Sequence, residues 1–412
     1  MTAEVTNDAG RTLYDWLAQK NAPVLDVVRA EGVWFETASG RRVLDFASQL
    51  VAANLGHSLR PIAEAVLAES ERASYVSPAM AHPAKDELTR RLTGGVLPPH
   101  LTRISYCATG NEAVNDAIRI ARTVTGRDVV LFATPGYHGA QGTGADTSGD
   151  VRRDLMRSRF TDAVPFLGPY RPGVSTPDSA EVALERFVTA AQAVGPERVA
   201  AVLVEAVPGS NGVLVPPAGY LAAVGEFCAR HGILLVCDEV MTGFGRTGRW
   251  FAFEHEGVRP DLVTLGKALT AGFVPLGAVA TTAEVAAHFE SSPFVSGHTF
   301  GGTPIQCAAA LAALDAYEAG DVIAAADRAG GRLADWLASA SAGADWTGRS
   351  RGLFAAVDLA DGARAGEVAR ALLASDVYCL QRGTFLMLAP PLVVSDEELD
   401  LGLARLGEAL AR

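Results

Sequence analysis

One acid and one amine are placed for chemistry in the segment 234–272, LLVCDEVMTGFGRTGRWFAFEHEGVRPDLVTLGKALTAG. The apolar run Ile233–Cys237 reads as a buried parallel strand. It puts Asp238 at its carboxyl end, where open α/β sheets place their ligands. A second run, Leu262–Leu265, delivers Lys267 to the same edge. A carboxylate and an amine so placed suit one task well: holding a pyridinium ring and forming an imine with its aldehyde. An Asp-Glu pair after a strand is also a common loop or cap acid, and a lone lysine is usually solvated. Neither residue is diagnostic by itself.

Pyridoxal phosphate (PLP) makes both demands. It is a deep electron sink only while its ring nitrogen keeps a proton, and a buried carboxylate beside that nitrogen favours the cation. Asp238 is the candidate for that role. The amine must be neutral when it attacks, and desolvation lowers lysine's pKa. Lys267 has Leu265, Ala268 and Leu269 around it and no acid close in sequence. Once displaced by an incoming amine, it can move the proton between substrate and cofactor carbons.

The elements that carry these groups read as an α/β protein. At 412 residues the chain exceeds one ordinary core, so a large and a small domain are expected. The stretch GVWFETASGRRVLDFAS reads as a hairpin with its turn near Ser39-Gly40. From Pro61 onward, helical periods alternate with short apolar strands at Val129–Phe132, Val199–Val204, Ile233–Cys237 and Leu262–Leu265. That alternation implies a mainly parallel sheet sandwiched by helices. Pro304–Glu318 is an alanine-rich helix, followed by strand candidates at Leu353–Leu359 and Thr384–Leu388. The expected organisation is therefore a large domain over 61–305. A smaller α+β domain is built from both chain ends, 1–60 and 306–412.

Composition excludes several functions. A net charge of −12 without runs of like charge argues against nucleic-acid or anionic-membrane binding. No apolar stretch approaches the roughly 20 residues of a membrane span. The N-terminus, MTAEVTNDAGRTLYDW, has neither a basic start nor an apolar core, so a cytoplasmic location is expected. The five cysteines never share a C-x-x-C spacing, which favours reduced, buried thiols over disulfides or a metal site.

DEVMTGFGRTG, and LGKALTAG after PDLVT, resemble the signature of the class III (omega-type) PLP-dependent aminotransferase family nearly residue by residue. The similarity runs from GVWFETASG to LAPPLVVSDEELD. It implies the PLP-dependent transferase fold type I, PLP as cofactor, small-molecule amine and carbonyl substrates, and a homodimer with shared active sites. Ala108-Thr109-Gly110-Asn111-Glu112-Ala113 follows the strand-like Arg103–Cys107 and opens a helix at Ala113–Ala121, a start that offers N–H groups to a phosphate. In this place it resembles the family's S-G-S-E-A loop, which marks Gly110 and Asn111 as phosphate binders. Tyr137-His138-Gly139 is similar to the family's aromatic-His-Gly element, so Tyr137 is expected to stack on the pyridine ring and Val240 to cover the opposite face. Ser296–Gly302, SGHTFGG, resembles the glycine-flanked Thr-aromatic segment, implying that Thr299 reaches the phosphate of the neighbouring subunit. Glu205 falls at the glutamate of the family's E-P element, with Ala206 replacing the proline, and a hydrogen-bonding role is expected there.

The substrate-reading positions depart from the amino-acid-selective members. Those members hold a substrate carboxylate with an arginine shortly before the A-P-P-L strand, through a bidentate pair. Here that position is Met387. The glutamate that neutralises the arginine is replaced by Ser210, and the arginine that often follows Y-H-G by Ala140. Loss of both charges together is coherent, because either alone would be poorly compensated. Val51 stands where many amine-processing members carry an aromatic. These changes predict a substrate pocket at Val51, Glu205 and Met387 suited to a donor that is bulky or lacks a carboxylate near the reacting carbon. Arg382 and Arg249 are left as possible carboxylate ligands, with surface residence the expected fate. An aminotransferase with a ping-pong cycle is the reading. Its alternative is an aminomutase, racemase or epimerase, or decarboxylase on the same scaffold. An intact Lys267 disfavours a non-catalytic role.

Overall fold

The computed structural model describes residues 15–16, 25–149, 152, 156 and 162–412. The stretch ahead of residue 15, on which the absence of a secretion signal was argued, lies outside them. Three strands open the continuous part: β1 (Val27–Glu31), β2 (Trp34–Thr37) and β3 (Arg42–Asp45). β2 and β3 form the expected hairpin, turning at Gly40 with φ +77°. The sheet order β1-β2-β3-β13 is completed from the far end of the chain, where β13 (Val377–Tyr378) pairs in parallel with Leu44 and Asp45.

Strands that are apolar at every position must be covered on both faces. β7 (Val199–Val204), apolar throughout, is buried at all six positions, and β9 (Leu262–Leu265), apolar but for Thr264, at all four. Both lie in a seven-stranded sheet with β4 (Leu101–Cys107), β5 (Val129–Thr134), β6 (Ala163–Leu167), β8 (Leu234–Asp238) and β10 (Gly277–Thr282), in the order β4-β10-β9-β8-β7-β5-β6. Pairing is parallel except at β10, which runs antiparallel to both neighbours. The connection from Leu265 to Gly277 carries the Lys267 turn and is too short for the helical crossover a parallel partner needs. As a result the carboxyl ends of β4, β5, β7, β8 and β9 meet at one edge.

A third sheet, β11 (Thr347–Arg351), β12 (Phe354–Asp358), β15 (Phe385–Leu388) and β14 (Leu380–Arg382), follows near the chain's end. The Pro304–Ala319 helix is buried along most of its length and packs on the Arg60–Ala73 helix. The expected boundary after residue 305 falls in the first turn of this helix. Arg246 ties the parts together. Its guanidinium is fully buried and donates to Leu353 O, Pro390 O, Ser48 Oγ and Asn54 Oδ1, so one side chain joins three distant segments to its own loop. Burial pulls its pKa down to about 10. Among the described residues no helix is long and apolar enough to cross a membrane, and all five cysteines are buried and free.

Glu239 sets the geometry of the loop that follows β8. Its carboxylate accepts from Thr242 Oγ1, Ala252 N and Phe253 N, pinning the loop's return to its start. Burial pushes its pKa up to about 7. Between the ordinary carboxylate range and about 7, the folded protein thus holds a proton that the unfolded chain releases. Stability should fall as pH rises through that window, by up to about 1.4 kcal/mol per pH unit from this group. Urea unfolding of the wild type and Glu239→Gln across this range should show a shallower loss of stability in the variant. Parallel curves would remove Glu239 as the source.

Candidate active site

Five strand ends contribute to one cleft of about 440 Å³, with Gly110, Tyr137, Glu205, Asp238, Val240 and Lys267 among its walls. Asp238 closes β8 and is 5% exposed. Its carboxylate is held on both oxygens: Oδ1 accepts from Thr264 Oγ1 at 2.9 Å and Val240 N at 3.1 Å, and Oδ2 lies 2.7 Å from His138 Nδ1. Thr264 sits opposite Asp238 in the β8–β9 register, so the sheet itself supplies that donor. Lys267 follows β9 in a left-handed conformation, φ +42°, which costs a non-glycine residue energy and is a mark of functional sites. Burial lowers its pKa to about 8. The Arg382 and Arg152 guanidiniums push in the same direction, while Asp238 and Glu205 pull back.

The far wall is the start of the Gly110–Thr125 helix. Thr109 and Glu112 form a reciprocal capping box, and Glu112 also accepts from Ala108 N. The N–H groups of Gly110 and Asn111, in the helix's first turn, have no intrahelical acceptor and are left for an anion. Only glycine fits at 110, where a Cβ would stand 2.6 Å from a Val240 methyl. Gly139 has φ +125°, and a Cβ there would lie 1.9 Å from Asn111 Oδ1. That oxygen accepts from Gln141 N, so the Asn111 side chain braces the 137–141 loop while its backbone faces the helix start.

Glu205, just past β7, is 8% exposed and accepts from Tyr137 N and Gly209 N, which makes it the anchor of the tyrosine's backbone. Burial pushes its carboxyl above the ordinary range; His138 opposes and Asp238 adds to the shift. One face of the Tyr137 ring carries the Arg152 guanidinium at 3.9 Å, and Trp16 meets the ring edge-on at 6.4 Å.

Other expected positions lie elsewhere. Thr299 is exposed and outside this chain's cleft, its carbonyl accepting from Tyr75 Oη. Val51 and Met387 do not line the cleft. Val51 is fully buried with φ +57°, in a segment that Asp45 organises through Ala47 N and Gln49 N. Met387 is 1% exposed in the middle of β15, paired with Ala356 and Leu380. Both side chains are packed in the interior, outside the walls of this cleft. Arg249 is exposed, as expected. Arg382, expected at the surface, is half-buried in β14. Sequence reasoning gave no role to His138, Thr264 or Arg152. The Y-H-G motif and the lone hydroxyl in the β9 strand were the available signals for the first two.

The arrangement fits PLP. An amine with a depressed pKa shares a cleft with a fixed carboxylate, and a helix start with two available N–H groups closes its far side.

Comparison with known proteins agrees. An ornithine aminotransferase of Oceanobacillus iheyensis is 31% identical over 425 residues, covering 100% of both chains. The taurine:2-oxoglutarate aminotransferase of Bifidobacterium kashiwanohense, solved with PLP and glutamate, has a TM-score of 0.91 at 31% identity, covering 97% of this chain and 95% of that one. A PLP-bound amine transaminase from an uncultivated Pseudomonas species has a TM-score of 0.93 at 30% identity, covering 98% and 99%. The architecture is that of fold type I. The description "Aminotransferase class-III" matches residues 17–410. Almost nothing of the chain falls outside that match, and the chain belongs to the class III aminotransferases, enzymes that work with PLP.

Proposed function

We propose that this enzyme is an omega-type aminotransferase moving an amino group between an amine or amino acid donor and a keto acid, aldehyde or ketone acceptor in a ping-pong cycle. The observation that carries the reading is Lys267, an amine brought down to about 8 in one cleft with a carboxylate that has its own donors. When bound, PLP supplies the aldehyde that takes up the amino group and a ring that draws electrons from the substrate carbon. With PLP bound, Asp238 would keep a proton on the ring nitrogen, and Lys267, as a neutral amine, would hold the cofactor and move the substrate's proton at Nζ. The N–H groups of Gly110 and Asn111 hold the phosphate, Tyr137 and Val240 flank the ring, and Glu205 keeps Tyr137 in place.

The enzyme works as a homodimer in the cytoplasm, with 61–305 as its cofactor-binding unit and both chain ends forming the smaller one. The exposed position of Thr299, away from its own cleft, supports its use at the partner's phosphate. Buried, unpaired thiols support a reducing compartment. Ser210 and Ala140 stand where the family resemblance expects charged residues that read amino acids, which supports a donor that is bulky or lacks a carboxylate near the reacting carbon. Of the two arginines left as carboxylate ligands, Arg382 is half-buried in β14 and Arg249 is exposed, which favours Arg382 for the carboxylate of a keto acid acceptor. The relatives above are named for substrates as unlike as ornithine, taurine and amines, so side chains rather than fold set the choice.

Borohydride treatment of the PLP-loaded protein should fix the cofactor covalently on Lys267 and not in Lys267→Ala. The rate at which apoprotein takes up PLP should climb through pH about 8, as the amine loses its proton. A flat profile would contradict the depressed pKa. Given one amine and no acceptor, the enzyme should release one carbonyl product per site and stop. Continued turnover or racemisation would replace transamination with a sister reaction. Arg382→Leu should raise KM for a keto acid about tenfold or more while leaving KM for a carboxylate-free amine unchanged. Equal effects on both would remove Arg382 from substrate binding.

A further inference from the structure

The loop leading into the Pro304–Ala319 helix carries an imidazole that the chemistry above does not use. His298 Nε2 lies 2.7 Å from Asp116 Oδ2, and Nδ1 lies 3.6 Å from Glu112 Oε2. Ser296 Oγ donates to the same Asp116 oxygen at 3.1 Å. Asp116 is 1% exposed, and a carboxylate buried that deeply needs partners. Both of these come from one loop. Arg119, one turn along the same helix, donates to Val295 O at 2.6 Å.

This helix is the one whose first turn faces the phosphate side of the cleft. Its start offers N–H groups to this chain's own cofactor, and its flank grips residues 295–298. Beyond His298, the loop is held again. Thr299 O accepts from Tyr75 Oη, the Tyr75 ring meets Phe300 edge-on at 6.0 Å, and a Cβ at Gly301 would stand 2.4 Å from Tyr106 O. Thr299 therefore stands exposed on a turn fastened on both sides.

We infer that His298 is a positioning residue that holds Thr299 in place for the partner's phosphate, linking the helix of one cofactor site to the threonine of the other. The inference rests on the homodimer proposed above. Without the imidazole, Asp116 loses its shortest donor and the turn loses the tether next to Thr299 on its N-terminal side, leaving the holds at Ser296 and Val295.

Borohydride fixation at graded PLP concentrations counts lysine-bearing sites and tests this directly. His298→Ala homodimers should need about tenfold more PLP for half-occupancy, while His298→Gln, which keeps a donor near Nε2, should stay close to the wild type. Mixed dimers of one Lys267→Ala chain and one His298→Ala chain hold a single lysine-bearing site, and that site receives Thr299 from the chain with His298 intact. It should fill like the wild type. Wild-type affinity in His298→Ala homodimers would overturn the inference, as would a mixed-dimer site as weak as theirs. His298→Asn, whose amide falls short of Asp116, replaces the alanine variant if that one does not assemble. Sedimentation separates the two readings: a monomeric PLP-loaded wild type would refute the homodimer itself, whereas a dimer indifferent to His298 would refute this role alone.

Discussion

Two buried carboxylates and one half-buried, desolvated amine share a cleft, and the carboxylates are bound to other donors first. Asp238 is held by Thr264, Val240 N and His138; Glu205 is held by two backbone N–H groups. Their attraction for Lys267 persists, yet it does not repay the hydration the ammonium has lost, and the amine ends at about 8. Had either acid lacked its own donors, the low-dielectric site would have favoured a tight ion pair and an inert lysine. A nucleophilic amine therefore depends on how completely its neighbours are satisfied.

The backbone meets that requirement at a cost. Lys267 adopts a left-handed conformation directly after β9, and Gly110 and Gly139 occupy places where no other side chain fits. Such strain persists only where the surroundings over-determine it. Here the surroundings are a sheet whose parallel strands are buried on both faces, with β10 returning antiparallel to close the space behind the lysine turn. Arg246, bonded only to neutral oxygens, fixes the N-terminal segment and the third sheet against the loop after β8.

What the sequence made legible follows from what is local. The fully apolar run Val199–Val204, and Leu262–Leu265 with its one threonine, were found to the residue, because burial on both faces leaves no polar alternation. Asp238 and Lys267 were legible because each sits at the end of such a run. β10 was not, since GAVATT is small and mixed and its direction depends on connection length. The bonds to Asp238 from His138 and Thr264 were also hidden, because they are set by pairing between strands far apart in sequence. Met387 and Val51 were assigned to the pocket by position along the chain, whereas their side chains follow the packing of β15 and of the strained turn after Asp45. Arg382 was read as a surface residue, whereas its place in the β14–β15 hairpin leaves it half-buried.

A crystal structure of the PLP-loaded enzyme would address the relation between Asp238 and Lys267 most directly. The expected result is continuous density from Lys267 Nζ to the cofactor's C4′, with the ring nitrogen about 2.7–3.0 Å from an Asp238 oxygen. A cofactor bound with its ring nitrogen away from Asp238, or attached to any other side chain, would contradict the roles given to both residues.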